Sequence, residues 1–466
     1  MRKPSRSVWP ILCAVVAVLA VGLGVPSWAT AGQAEVTIWT AFPEMHQLTV
    51  ELAAKYMKEN PNIKITPTLF PQRAQEEKVA VALPAGQAAD LIELDKFELY
   101  PYYKNGFLEA LPPDTEAWVK KNFPEYSVKA NTADDGKLFD FPWFNAFKMM
   151  FYNKDYFKEA GITKVPTTVD EMVAASKKLT KYDAKGNVTR AGLDYRIMGG
   201  GAGTMQKYWT QAMIPYGAKV LDKVGDKWRA GYNNEAGKNA LKMYIDAVHK
   251  DKVVAFDHKH DAEGFGLGIS AMFQREAWVV GYLFKEAPKL NYGVFPMPKG
   301  PGGWGTVGNT MGLAVPKSSK VKKEAFAFAK WMMDDAQSMY SFDTSGWQPF
   351  RTNIDYGPLY KNKPMLKEFI QTSNLAGHAV YDYENMPAIS EVHNRMAERI
   401  MTAFKRADLK DNPQGIAKVI SDMAEETNRG TPLSPRPTSS SRAGSAIRRR
   451  RAPGRAPRPP GIPAAP

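Results

Sequence analysis

The chain has 466 residues, of which 44% are hydrophobic and 24% charged, with a single cysteine and a formal net charge of +14. Three positive charges lie at Arg2, Lys3 and Arg6, and residues 431–466 contain eight arginines and no acid, which leaves +3 for the rest. This small excess excludes a nucleic-acid-binding footprint, the lone cysteine excludes an intrachain disulfide, and the length is sufficient for two domains.

The N-terminal segment has the layout of a secretory signal peptide. Its basic start precedes an apolar run from Val8 to Val25 and a small-residue site at Ala29-Thr30-Ala31. We therefore predict cleavage of residues 1–31 and a periplasmic mature protein without a thiol, because Cys13 lies in the removed part. Leu12 before Cys13 disfavours a lipid anchor. A membrane anchor is the alternative, since a run of about 18 residues approaches the length that spans a bilayer.

The elements that follow alternate between strand and helix. A β-branched run at residues 35–39 predicts a strand, and helical spacing from Met45 to Tyr56 predicts a helix that ends before Pro61. Residues 63–69 predict a second strand, residues 75–83 a second helix and residues 90–94 a third strand. This order predicts an α/β domain with a mostly parallel sheet.

Later segments show turn, cap and disorder signals. Asp135-Gly136 predicts a hairpin turn, and Thr168 with Glu171 predicts a capping box. Residues 325–332 predict another helix. Residues 431–466 are rich in Arg and Pro and nearly devoid of large apolar residues, which predicts a disordered tail. The abrupt change in composition fits either a native tail or a shifted reading frame.

Three motifs that could suggest cofactor or metal chemistry fail on spacing. Gly199–Gly203 lacks the lysine of a phosphate-binding loop, and Gly264–Gly268 has its third glycine too early for a dinucleotide fingerprint. Asp257–Asp261 contains the residue types of a zinc site, but its spacing fixes no tetrahedral geometry. We therefore predict no cofactor, no metal site and no catalytic residues.

Several segments, in order, resemble one family: the solute-binding proteins of ABC transporters, of the maltose-binding type. Two departures from the family pattern are Ala89, where proline is usual, and Glu276-Ala277, where the family has Gly-Pro before a tryptophan. The resembling segments are Val36–Trp39, Tyr56–Ile65, Ala85–Ile92, Phe151–Ile162, Ala271–Trp278, Tyr292–Gly300 and Gly312–Ser318.

The resemblance implies an α/β, two-lobed periplasmic binding protein fold of type II, with discontinuous lobes joined by a hinge. We expect lobe 1 to comprise residues 34–144 plus 292–346, and lobe 2 residues 145–291 plus 347–430. The resemblance also implies that the protein is not an enzyme but a monomer that binds a carbohydrate in the cleft between the lobes. It would deliver this ligand to the membrane permease subunits of an ABC transporter, without binding nucleic acid.

Aromatic rings suit the apolar faces of sugars, and carboxylate, amide and Arg groups suit their hydroxyls. Family position makes Trp278 the strongest candidate, whereas the other tryptophans could be core residues. The resemblance implies that the ligand contacts lie in loops at the ends of strands. Carried over position by position, it gives the expected ligand-binding residues Trp39, Phe42, Glu44, Asp95, Lys96, Trp143, Phe144, Asn145, Tyr208, Trp209, Trp278, Trp304, Asn309, Trp347 and Arg351.

Two alternatives remain open from the sequence. A charged solute is one alternative: Lys96 and Arg351 would suit an anion such as a sugar phosphate, whereas a cation such as a polyamine would need more carboxylates in the cleft. A secreted glycosidase would need two carboxylates at a defined separation, for which Asp90, Asp95 and Glu98 are available.

Overall fold

The computed structural model describes residues 33–197, 201–225, 227–254, 256, 259, 261–307, 310–351, 353–373, 379–381 and 389–430. The predicted signal peptide and the Arg/Pro-rich tail lie outside these residues. The strands are β1 (Ala34–Thr40), β2 (Ile63–Leu69), β3 (Leu91–Asp95), β4 (Phe141–Asn145), β5 (Lys148–Asn153), β6 (Lys181–Tyr182), β7 (Val188–Arg190), β8 (Leu221–Val224), β9 (Lys227–Ala230), β10 (Met272–Glu276), β11 (Tyr292–Phe295), β12 (Gly305–Val307), β13 (Thr310–Ala314), β14 (Gln348–Pro349) and β15 (Ala379–Tyr381).

Helices connect most of these strands. They are α1 (Pro43–Glu59), α2 (Gln72–Ala82), α3 (Lys96–Lys104), α4 (Pro113–Asn122), α5 (Glu125–Ala130), α6 (Lys154–Glu159), α7 (Val169–Leu179), α8 (Gly201–Tyr208), α9 (Ile214–Tyr216), α10 (Glu235–Ile245), α11 (Asp261–Gly266), α12 (Trp278–Glu286), α13 (Lys322–Met332), α14 (Asp335–Ser345), α15 (Gly357–Tyr360), α16 (Met365–Ser373), α17 (Ile389–Phe404) and α18 (Pro413–Gly430), with π-helical turns at Trp209–Met213 and Asp246–Lys250 and a 3₁₀ turn at Ala407–Leu409.

The first unit, whose described residues lie within 33–145 and 310–358, contains a six-stranded sheet in the order β14-β4-β13-β3-β1-β2. The three N-terminal strands pair in parallel, as predicted. The expectation of a mostly parallel sheet is wrong, because β13 runs antiparallel between β3 and β4, and β14 pairs antiparallel with β4. Each N-terminal strand is followed by a helix: α1 begins shortly after β1 ends at Thr40, and α3 begins directly after β3.

The structure confirms the predicted helix before Pro61 and the predicted turn at Gly136. Helix α1 begins with Pro43, whose missing amide is not needed at the first helical position, and ends before Asn60-Pro61. Its apolar side, including Leu48 and Leu52, is buried. Gly136 has the positive φ of a tight turn, at +81°, between segments joined by an antiparallel bridge.

The second unit, whose described residues lie within 146–307 and 359–430, contains the antiparallel sheet β10-β5-β11 and most of the helices. The predicted capping box is present at the start of α7, where the Glu171 amide donates to the Thr168 hydroxyl at 3.2 Å and the Glu171 carboxylate accepts from the Thr168 amide. The buried side of α17 packs with α8 and α18.

The structure moves two of the three expected crossings between lobes. The first lies after residue 145, one residue from its expected place. The second was expected at 292, but β11 pairs with β5, which keeps residues 292–309 in the second unit. The third was expected at 347, but β14 pairs with β4, which keeps residues 347–358 in the first unit.

Candidate functional site

In the first unit, three predicted aromatic residues form one cluster. Phe42 follows β1, Phe144 lies in β4, and Trp347 precedes β14, which pairs with β4 at that point. The ring centroids of Phe144 and Trp347 are 4.9 Å apart, and Phe42 lies 6.3 Å from Phe144 and 5.9 Å from Trp347. Phe42 is half-buried, whereas the other two rings are largely buried. We call these three rings the first aromatic cluster.

Glu44 orients one ring of this cluster. The Trp347 indole Nε1 donates to the Glu44 carboxylate at 3.0 Å. Glu44 lies in the first turn of α1, where the exposed backbone amides favour a negative charge. A carboxylate and an apolar ring surface thus lie side by side, which is the combination that a sugar requires.

Other predicted residues of the first unit lie in its interior. The ring of Trp39 packs against Phe70 at 5.6 Å and belongs to a buried hydrophobic cluster. Trp143 is buried, packs edge-on against Phe144, and lines a small internal gap with Met45. Neighbouring residues of a strand point to opposite faces of the sheet, and the sequence does not say which face meets the ligand. It therefore could not distinguish these tryptophans from a ligand-facing ring.

Three predicted polar residues of the first unit are buried and hold backbone or side-chain partners. The Lys96 ammonium donates to the Ala130 carbonyl at 3.2 Å. The Asn145 amide donates to the Tyr126 hydroxyl at 3.0 Å. Asp95 is the residue before α3, but its side chain makes no capping hydrogen bond. These positions are compatible with a structural role.

The Arg351 side chain is held by partners within the first unit. Its side chain is buried, its Nη1 donates to the Met333 carbonyl at 2.8 Å, and its Nη2 pairs with Asp335. Nε donates to Asn353 at 3.2 Å. Since these partners use the guanidinium group, the expectation that Arg351 would suit an anionic ligand loses its support.

The sequence did not reveal Glu93 of β3. Its carboxyl group is fully buried, and this burial raises its pKa well above the ordinary value. The negative charges of Glu44 and Asp95 add to the effect, and a hydrogen bond from the Ala41 amide only partly opposes it. Its place in a strand among apolar neighbours was the available signal, because a carboxylate at such a position requires an explanation.

In the second unit, Trp278 begins α12 and remains half-buried. Its indole Nε1 donates to the Glu276 carboxylate at 3.1 Å, and the Arg275 guanidinium lies 5.1 Å from the ring centroid. Tyr282 packs edge-on at 6.1 Å. An indole held in this way can present apolar area to a ligand with little loss of rotamer freedom.

The Glu276 carboxylate is ionised although it is buried. Burial alone would raise its pKa, but the charges of Arg275 and Lys148, with the hydrogen bond from Lys148, outweigh burial and lower the pKa to about 2. The Lys148 ammonium lies 3.0 Å from one carboxylate oxygen, and Nε of Arg275 lies 3.3 Å from the other.

A second charge network lies beside these residues. Asp261 accepts from Arg196 at 2.7 Å and from Lys207 at 3.1 Å, and Lys207 also pairs with Asp194 at 2.8 Å. Arg196 and Asp261 both have positive φ, at 44° and 55°. Asp261 was considered at the sequence level only as a metal ligand; here it is an ion-pair partner.

The remaining predicted residues of the second unit differ in placement. Tyr208 is buried, with its ring 5.1 Å from that of Tyr244, and burial raises its pKa. Trp209 is also buried, with its ring 5.9 Å from that of His393. Trp304 is half-buried before β12. Asn309 lies outside the described residues.

The described residues contain neither a cluster suited to a metal ion nor a helix suited to a membrane. Within the described part of the chain, no three His, Cys, Asp or Glu side chains converge as they would to bind a metal ion. Most of the segment Asp257–Asp261 lies outside that part. No described helix combines the length and apolar character needed to cross a membrane.

Comparison with known proteins agrees with this architecture. A binding protein of Brucella abortus (strain 2308) is 25% identical, over 76% of this chain and 82% of the relative. The arabinooligosaccharide-binding protein of Bacillus subtilis (strain 168) is also 25% identical, over 73% of this chain and 78% of the relative. The structure of maltose-bound MalE3 from T. maritima superposes with a TM-score of 0.69 at 20% identity, over 84% of this chain and 100% of that chain.

The structural likeness confirms the predicted fold class, a type II periplasmic binding protein fold. The family model for bacterial extracellular solute-binding proteins matches residues 42–339, which is more than half of the chain. The chain therefore belongs to the family of bacterial extracellular solute-binding proteins.

Proposed function

We propose that this protein is the solute-binding component of an ABC transporter and that its ligand is a carbohydrate. It binds the ligand outside the cytoplasm, in the periplasm, releases it unchanged to the permease subunits, and has no catalytic role. The observation that carries the proposal is the half-buried Trp278 indole, whose polar edge is bound to Glu276 while apolar ring surface remains. This arrangement suits the apolar C–H face of a sugar ring.

The first aromatic cluster supports the same ligand class. Phe42 is half-buried next to Trp347, and Glu44 places a carboxylate beside them. We propose this cluster and Trp278 as separate ligand-contacting surfaces. The relatives named for arabinooligosaccharide and solved with maltose support a carbohydrate as the ligand.

A ligand panel tests the proposal. The panel contains maltose, mannobiose, arabinobiose, diacetylchitobiose and erythritol, with glucose 6-phosphate and putrescine as charged probes. A ligand at 100 times its Kd stabilises the folded state by about 2.7 kcal/mol. This raises the Tm of a domain of about 200 residues by about 5 to 10 °C. We expect such a shift with at least one neutral sugar and its loss in the W278A variant.

The charged probes and product analysis decide between the alternatives. A shift with glucose 6-phosphate or putrescine and with no neutral sugar would show a charged solute instead. Chromatography of the sugars after incubation should recover them intact. Release of monosaccharides in proportion to protein concentration would show a glycosidase and would overturn the binding role.

A further inference from the structure

The residue two positions before Trp278 is a departure from the family pattern that has a structural consequence. The family that this chain resembles has Gly-Pro at the two positions where this chain has Glu276-Ala277. A glycine has no side chain with which to accept a hydrogen bond from the indole. Here the Glu276 side chain occupies the space between the Trp278 indole Nε1, at 3.1 Å, and the Lys148 ammonium, at 3.0 Å.

The Trp278 ring is restrained at its edge and on one face. Glu276 accepts from its polar edge, and the Arg275 guanidinium lies 5.1 Å from the ring centroid. A guanidinium over an indole face is attracted by the ring quadrupole. The orientation of the ring is therefore fixed before the ligand arrives, which reduces the entropy lost on binding.

The Glu276 carboxylate, which accepts the hydrogen bond from the indole, is itself paired with a buried cation. The Glu276 side chain is 4% exposed and that of Lys148 is 2% exposed, so each depends on the other for compensation. Lys148 also donates to the Ala146 carbonyl at 3.2 Å, next to the point at which the chain enters the second unit. Because the acceptor is ionised, its bond to the indole is of the stronger, charge-assisted type.

From this geometry we infer that Glu276 is a positioning residue for carbohydrate binding: backed by Lys148 and Arg275, it sets the orientation of the Trp278 indole. This inference rests on the proposed function, since it assigns Trp278 to the ligand.

The first test needs no ligand. In the ¹H–¹⁵N spectrum of the protein labelled with ¹⁵N-tryptophan, the W278F variant identifies the Trp278 indole resonance. We expect the E276Q variant to move this resonance and to speed the exchange of its proton, because a neutral amide is a weaker acceptor. The control is R190Q, which breaks a different ion pair of the second unit, between the buried Arg190 and the exposed Glu159 at 2.8 Å, and should leave the Trp278 resonance unchanged. An unchanged Trp278 resonance in E276Q would overturn the inference.

A measurement on the unmodified protein covers the case in which E276Q does not fold. Because the indole Nε1 donates to the Glu276 carboxylate at 3.1 Å, we expect the Trp278 indole proton to exchange with solvent at least about tenfold more slowly than that of free tryptophan. Exchange of this proton at the rate of free tryptophan would overturn the inference.

The second test measures how far Glu276 and Trp278 depend on each other in binding. Its ligand is the neutral sugar of the panel that gives the largest thermal shift. We expect E276Q to weaken binding about tenfold, and to have no further effect in the W278F background. An equal loss in both backgrounds would show that Glu276 does not act through Trp278. If no panel sugar binds, the proposed carbohydrate function fails, while the ligand-free resonance test still decides whether Glu276 orients the indole.

Discussion

The buried carboxyl group of Glu93 makes stability depend on pH in a direction that the structure fixes. Its pKa is raised above the ordinary value, first by burial and then by the charges of Glu44 and Asp95. Below the pKa of the unfolded chain, near 4.5, Glu93 is protonated in both states and adds no penalty. As the pH rises towards the folded pKa, the unfolded state loses its proton first, so stability is lost.

The E93Q variant removes this titration. Relative to the unmodified protein, E93Q should gain about 1.4 kcal/mol for each pH unit above 4.5, until the folded pKa is reached. For a domain of about 200 residues this corresponds to roughly 3 to 5 °C in Tm per pH unit. Any cost of burying the new amide does not depend on pH, so the slope of the Tm difference is the quantity to measure, by calorimetry from pH 4.5 to pH 8.

Two further variants test the cause and the sign of this pH dependence. E44Q removes the second-largest cause of the shift, so in its background the gain from E93Q should level off at a lower pH. The control is E35Q, whose exposed carboxylate has its pKa lowered by the hydrogen bond from Lys64, so the sign of its effect is opposite. A Tm difference between E93Q and the unmodified protein that is constant with pH, or that falls as pH rises, would refute the reasoning.

Three other variants test a buried histidine, a helix cap and a buried arginine. Burial lowers the pKa of His393 to about 3, so stability that is complete above pH 6.5 is lost as the pH falls; in calorimetric pH series, H393Q should remove about 1.4 kcal/mol of this dependence per pH unit between 6.5 and 3. T168A breaks the capping box with Glu171 and should cost about 1 kcal/mol in denaturant unfolding. R351M leaves the Met333 carbonyl without its donor and should cost about 1 to 3 kcal/mol, while sugar affinity measured on the folded protein stays within twofold.

Each of these predictions has a result that contradicts it. An H393Q variant with the same acid sensitivity as the parent would mean that His393 is not a buried neutral ring. An unchanged free energy of unfolding in T168A would mean that the capping box does not stabilise α7. A tenfold loss of sugar affinity in R351M would return Arg351 to the ligand site.

Much of the fold could be predicted because local signals and tertiary packing agree. The alternation from β1 to β3, the helix ending before Pro61 and the capping box of α7 all depend on residues close in sequence. The direction of β13 and the pairing of β14 could not be predicted in this way. They depend on contacts between segments more than 150 residues apart, and the lobe crossings moved with them.

The site was predictable only in part, for a related reason. Phe42, Glu44, Phe144 and Trp347 were named from loop positions, and the structure brings them together. The same reasoning also named Trp39 and Trp209, which are buried in cores, because the amphipathic character of tryptophan suits both places. Charge networks such as Lys148–Glu276 have no sequence spacing that reveals them, since their partners lie on paired strands far apart in the chain.

The measurement that tests the central claim most directly is a calorimetric titration of the unmodified protein and W278A with the panel ligands, followed by chromatography of the recovered ligand. We predict that one or more neutral sugars bind the unmodified protein with one equivalent per chain and are recovered intact, and that W278A binds the same sugar at least tenfold more weakly. Equal binding by both proteins, binding of charged probes alone, or recovery of cleaved sugar would contradict a carbohydrate receptor centred on Trp278.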